Sequence, residues 1–105
     1  MDEKTINEGK TMAIISYITL IGVLIAYLMN NDKKNAFAKF HIGQALRVWL
    51  LGVVLAIGGT MLVIFTGIGA FGYLSWVAWI LAVLGLVNAV NGKTEKVPLV
   101  GSIGE

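Results

Sequence analysis

Within FHIGQAL, Phe40 to Leu46, an imidazole and a carboxamide stand three residues apart, at the threshold of a run that carries no charge from Val48 to Gly92. His41 is the only histidine in the chain. Such a ring can ligate a metal, carry a proton or bridge two hydrogen-bonding groups, and the company it keeps decides among these. With no cysteine in the chain and no acid cluster beside it, His41 lacks the usual first ligand set of a zinc site. No serine stands next to it in a nucleophile elbow. The glycines of GIGAFG (Gly67 to Gly72) have neither a lysine nor a preceding strand, so they do not read as a phosphate loop. All six acids, Asp2, Glu3, Glu8, Asp32, Glu95 and Glu105, lie outside the apolar runs, which leaves no carboxylate for a proton-coupled carrier. The expectation is a protein that is not an enzyme, with no cofactor and no metal. What remains for His41 is hydrogen bonding between helices, or response to protons.

The elements that must hold this pair follow from composition. The 105 residues are 57% hydrophobic and only 13% charged, against about 25% charged in an ordinary soluble domain. The solvent for such a chain is a bilayer, and its length suits one small domain, residues 1–105. Eight basic and six acidic residues give a formal charge of +2 and flank the apolar runs, which points to membrane edges and away from nucleic acid.

Three runs can cross a hydrocarbon core. Thr11 to Met29 holds no charge and, at 1.5 Å per residue, reaches roughly 28 Å as a helix. Ala36 to Thr66 is too long for one crossing; it reads as an interfacial amphipathic start over 36–47, with about 46–66 within lipid. GIGAFG permits a tight reversal, and Tyr73 to Val90 returns and ends at the polar stop NGK. The predicted fold is therefore all-α, an integral membrane bundle of three transmembrane helices. Lys33, Lys34, Lys39, Arg47, Lys93 and Lys96 fall on one side of three crossings, and Lys4 and Lys10 on the other. That bias predicts a multi-pass protein of the bacterial inner membrane, with its N-terminus outside and its C-terminus in the cytoplasm.

Helices in lipid associate where small residues let their backbones approach. Ser75, Ala78, Ala82, Gly85 and Ala89 recur at spacings of three and four and share one face within about 80°. Ala45, Gly52, Ala56, Gly59 and Thr66 form a comparable seam in the second run, and Ser16, Thr19, Gly22 and Ala26 a looser one in the first. His41 projects onto the arc of Gly52, Ala56 and Gly59, with Gln44 about 60° aside. The antiparallel return puts Asn88 and Asn91 at the same depth, so a polar cluster of His41, Gln44, Asn88 and Asn91 is expected at the cytoplasmic rim. Arg47 points elsewhere and is expected to snorkel to headgroups, where Lys33, Lys34 and Lys39 also attract anionic lipid.

MDEKTINEGKTMAIISYITLIG, NNDKKNAFAKFHIGQAL and a proline-containing, glycine-rich close after NGK together resemble small bacterial import-component proteins, a family similar to the Tic-twenty channel component of the chloroplast inner-envelope translocon. The most specific element of the likeness is Phe40, His41, Gln44, Ala45 and Leu46. Gly43 stands where that family commonly has arginine. The resemblance implies a component of a membrane assembly, with the bilayer and either further copies of the chain or other membrane proteins as partners. An oligomeric channel or small transporter, and a lipid-interacting protein, are the alternatives.

Overall fold

The computed structural model describes residues 1–102; the last three residues of the expected 1–105 domain lie outside them. The described residues form four α-helices and one 3₁₀ turn, without strands: α1 Glu3–Ser16, α2 Leu20–Lys33, α3 Ala36–Thr66, the turn Gly69–Tyr73, and α4 Trp76–Val90. The long axis measures 52 Å and both short axes 22 Å.

The first apolar run is not one helix. It breaks at Tyr17–Thr19 into α1 and α2, each of 14 residues and about 21 Å long. The break has local causes. Tyr17 and Ile18 donate to the carbonyls of Ile14 and Ile15 in tight i−3 bonds that end α1. Thr19, in extended backbone, then caps α2 by accepting the Gly22 N–H at 3.1 Å on its hydroxyl. A threonine that the helical wheel assigns to a packing face is thus a helix start.

α1 and α2 form a hairpin beside the first half of α3. At its base, Asn35 donates from Nδ2 to the Thr5 carbonyl at 2.9 Å. Asn35 also caps α3, its Oδ1 accepting the Ala38 N–H at 3.0 Å. Asn30 closes the α2–α3 turn: its Oδ1 accepts the Asn35 N–H at 2.8 Å and its Nδ2 donates to the Asn35 carbonyl at 3.1 Å. At the apex, Trp49 Nε1 donates to the Ser16 carbonyl at 3.1 Å. Trp49 is only the fourteenth of 31 residues in α3, so the hairpin reaches about 20 Å along a helix of about 46 Å. The start of α1 therefore lies at the same end of the molecule as the α2–α3 turn, not at the opposite end as three crossings would require. Gly9 makes the close packing possible, since a Cβ there would strike the Asn35 side chain and lie 2.9 Å from the Ala38 nitrogen.

α3 continues without interruption from its amphipathic start to Thr66, and Gly67 ends it in the left-handed region at φ 73°. α4 returns antiparallel, with Ala78 against Gly52 near the middle of α3. α3 and the stretch Gly69–Val90 are long and apolar enough to cross a membrane, and most of their apolar side chains face outward. The architecture is a helical bundle with two bilayer-length elements.

Candidate functional site

The hydrogen-bonded centre lies at the wide end, where α1, α3 and the segment after α4 meet. His41 is fully buried. Its Nε2 lies 2.6 Å from the Lys93 carbonyl and its Nδ1 2.7 Å from the Tyr17 hydroxyl. A carbonyl can only accept, so Nε2 carries the proton; in the neutral ring Nδ1 is then the acceptor and Tyr17 donates to it. The two contacts together hold the neutral Nε2–H tautomer. Phe37 and Phe40 stand edge-on to the ring, at centroid distances of 4.7 and 5.0 Å. The Tyr17 ring sits against Gly85, in the space a Cβ would fill, so Gly85 of α4 gives the tyrosine its place.

Gln44, one turn further along α3, treats the C-terminal segment as a neighbouring peptide. Its Oε1 accepts the Val97 N–H at 3.0 Å and its Nε2 donates to the Gly101 carbonyl at 2.8 Å. The Gly101 N–H returns to the Val97 carbonyl at 3.1 Å, closing the turn around Pro98. Val97 and Val100 are buried in the core, so the segment after α4 is pinned by two apolar side chains and the two polar residues of α3.

His41 and Gln44 therefore meet, but with backbone groups of the tail and with Tyr17, not with the two asparagines. Asn88 is half-buried and its Nδ2 reaches the Glu95 carbonyl at 3.4 Å. Asn91 is exposed at the end of α4. Arg47 is half-buried, and its Nη1 lies 3.4 Å from the Gly101 carbonyl. Lys33, Lys34 and Lys39 are exposed, and Lys34 and Lys39 line a cavity of about 510 Å³ between α2 and α3. Of the small residues, Gly22, Ala26, Gly59, Ala78, Ala82, Gly85 and Ala89 are buried, Gly52 and Ser75 half-buried, and Ala56 exposed.

Sequence reasoning missed Tyr17, Asn30 and Asn35. For Asn35 a signal existed: an asparagine directly before a long helical run is a cap. For Tyr17 there was none, because an aromatic inside an apolar run is as readily lipid-facing as buried. Among the described residues, no three histidine, cysteine, aspartate or glutamate side chains gather as a metal site would require.

A small all-α bundle with two outward-apolar helical elements and a buried polar clasp at one end defines a helical protein of the membrane class. Residues 8–103 match the magnetosome magnetite crystal formation protein family, MamF/MmsF, and the chain belongs to that family. No curated protein and no solved structure matches it. The family match overturns the likeness to import components drawn from FHIGQAL, and the translocation role with it. It gives no support to the channel or lipid-interaction alternatives either. The residues behind that likeness have a structural explanation: His41 and Gln44 fasten a tail, and fully buried Ala45 lies on the packed side of α3. Such a pattern serves bundle construction and is not tied to one function.

Proposed function

We propose that this chain is a magnetosome-membrane protein that takes part in magnetite crystal formation. The observation that carries the reading is the family match, which extends over both bilayer-length elements and the polar clasp. Its arrangement in the membrane is part of the proposal: α3 and α4 cross, while the α1–α2 hairpin enters from one side and returns to it. Two crossings put the N-terminus, the α2–α3 turn and the C-terminal tail on one face. Every charged residue among the described ones then lies toward that face, and the Gly69–Tyr73 turn on the other carries none. Eight basic residues against zero orient the charged face to the cytoplasm.

With no ionisable group but tyrosine between Val48 and Gly92, the face turned away from the cytoplasm offers the mineral side backbone, the hydroxyls of Thr66, Tyr73 and Ser75, and apolar side chains such as Ile68 and Phe71. The contribution to crystal growth is therefore assigned to the membrane that encloses the crystal and to the assemblies formed there with further copies or other membrane proteins. No catalytic step is part of this reading. The test is deletion of the gene in a magnetosome-forming cell, with crystals measured by electron microscopy and a C-terminal fluorescent fusion followed in fractionated membranes. Altered crystal size or number, restored by the native chain, together with a fusion concentrated in the magnetosome fraction, is the expected result. Unchanged crystals and a fusion spread evenly over the cell membrane would overturn it.

A further inference from the structure

The two ends of the molecule differ in cross-section. Between the levels of Asn35 and Trp49, α1, α2, α3, the end of α4 and the tail are packed side by side, tied by the Thr5–Asn35, Trp49–Ser16 and His41–Lys93 contacts. Beyond Trp49, about 26 Å of α3 is accompanied only by α4 and the turn that joins them. The outer face of α2 is apolar: Ile21, Leu24 and Leu28 are 70%, 58% and 61% exposed. Such a surface belongs against acyl chains, whereas the outer face of α1, with Glu3, Lys4, Asn7, Glu8 and Thr11, suits headgroups and water. The hairpin is thus an amphipathic insertion confined to one leaflet.

From this geometry we propose that the protein is a wedge that accumulates on membrane convex toward its charged face. The inference rests on the two-crossing arrangement proposed above. Each additional helix displaces a disc of lipid about 10 Å across, and α1 and α2 do so in one leaflet only, which expands that leaflet relative to the other. The membrane of any closed compartment inside a cell is convex toward the cytoplasm. A wedge with its wide end there is matched to a small vesicle and mismatched to the flat cell membrane. No particular headgroup is required, which separates this preference from electrostatic attraction of anionic lipid.

The experiment reconstitutes the full chain, fluorescently labelled, in zwitterionic phosphatidylcholine vesicles about 50 nm and about 400 nm across, and reads protein density per membrane area. Trypsin reports orientation without any substitution, because all lysines and arginines lie at the charged end. Molecules with that end outward are cut, and those with it inward are protected throughout. The expected result is a several-fold higher density of trypsin-sensitive molecules on the small vesicles and the reverse bias for protected ones. Equal density on both sizes, or the same bias in both orientations, overturns the wedge while leaving the arrangement in the membrane intact. Cleavage at Lys33 and Lys93 in molecules whose Lys4 and Lys10 are protected overturns the arrangement and the wedge together. A variant carrying Ile21→Lys and Leu28→Lys, both outward positions, is expected to keep its helicity and lose the size preference. Sorting like the native chain would again overturn the proposal.

Discussion

His41 sits between a group that can only accept and a group that donates to it, and this pairing fixes what substitutions do. His41→Leu leaves the part-buried Lys93 carbonyl and the buried Tyr17 hydroxyl without their partner, and should cost about 1–3 kcal/mol, read as a lowered unfolding temperature in detergent with membrane insertion retained. Tyr17→Phe removes one bond and should cost about 1 kcal/mol, with a coupling to His41 in a double-mutant cycle. Unfolding of both variants at the native temperature would contradict the clasp. Outside the membrane, hydrogen bonds from Thr5, side chain first and backbone N–H second, hold the Asp2 carboxyl below the usual carboxylate range. A depressed carboxyl contributes stability above its unfolded value and loses it as pH falls through the folded one, so the first turn of α1 should fray in acid before the bundle opens, visible as a lowered protection factor, relative to the intrinsic exchange rate at each pH, at the Thr5 amide. The importance of His41 and Gln44 was legible because a charge-free run begins beside them and the wheel turns them inward. Their partners were not, because the acceptors are backbone carbonyls of a tail without periodicity, and Asn88 and Asn91 were the only side chains at that depth for a wheel to offer.

At the scale of elements, the hairpin is the feature that hydropathy hides. An uncharged run from Thr11 to Met29 has the length of a span, and only Thr19 as a cap and the tight turn before it divide it. Thr19→Ala should therefore cost about 1 kcal/mol and raise exchange at the Gly22 amide, while the same change at exposed Thr60, within α3, should cost much less. Gly9→Leu should undock α1 from α3 more severely than any cap substitution, because the obstructing atoms include the α3 backbone. Fluorescence of Trp49, which is bonded to the apex, gives the measurement: an unshifted spectrum in that variant would show that the close approach is not needed. At the other end of α2, Lys34 takes φ 50°, the left-handed region that favours glycine. Lys34→Gly should be stabilising by about 1 kcal/mol, and a lowered unfolding temperature would count against the turn as described. The limits of the apolar run that becomes α3 and the reversal at Gly67 could be read from the sequence, since hydropathy and a glycine in the right place agree there, but its continuity as one helix could not, because 31 residues exceed one crossing.

For the whole molecule, the decisive property is the segregation of charge. With the N-terminus beside the α2–α3 turn, every lysine and arginine and every described aspartate and glutamate lies toward one end, and the Gly69–Tyr73 turn at the other carries no charge, so the molecule has a direction. The sequence supports membrane residence on composition alone, but the number of crossings proposed depends on whether a capped break is recognised, and with it the side proposed for the N-terminus. Family membership was not legible in FHIGQAL for a related reason: those residues secure a tail to a bundle, which unrelated functions can share. Magnetite formation becomes a reading of this architecture through the family match, with the two-crossing arrangement as its physical frame. That frame is tested most directly by single-cysteine labelling, for which the chain is suited because it has no cysteine of its own. Cysteines placed one at a time at Lys4, Asp32, Gly69 and Ser102 are treated in intact cells with a membrane-impermeant maleimide, and again after permeabilisation. Reaction at positions 4, 32 and 102 only after permeabilisation, with position 69 set apart from them, is the expected pattern. A cysteine at position 4 that reports from the compartment opposite position 32 would contradict it.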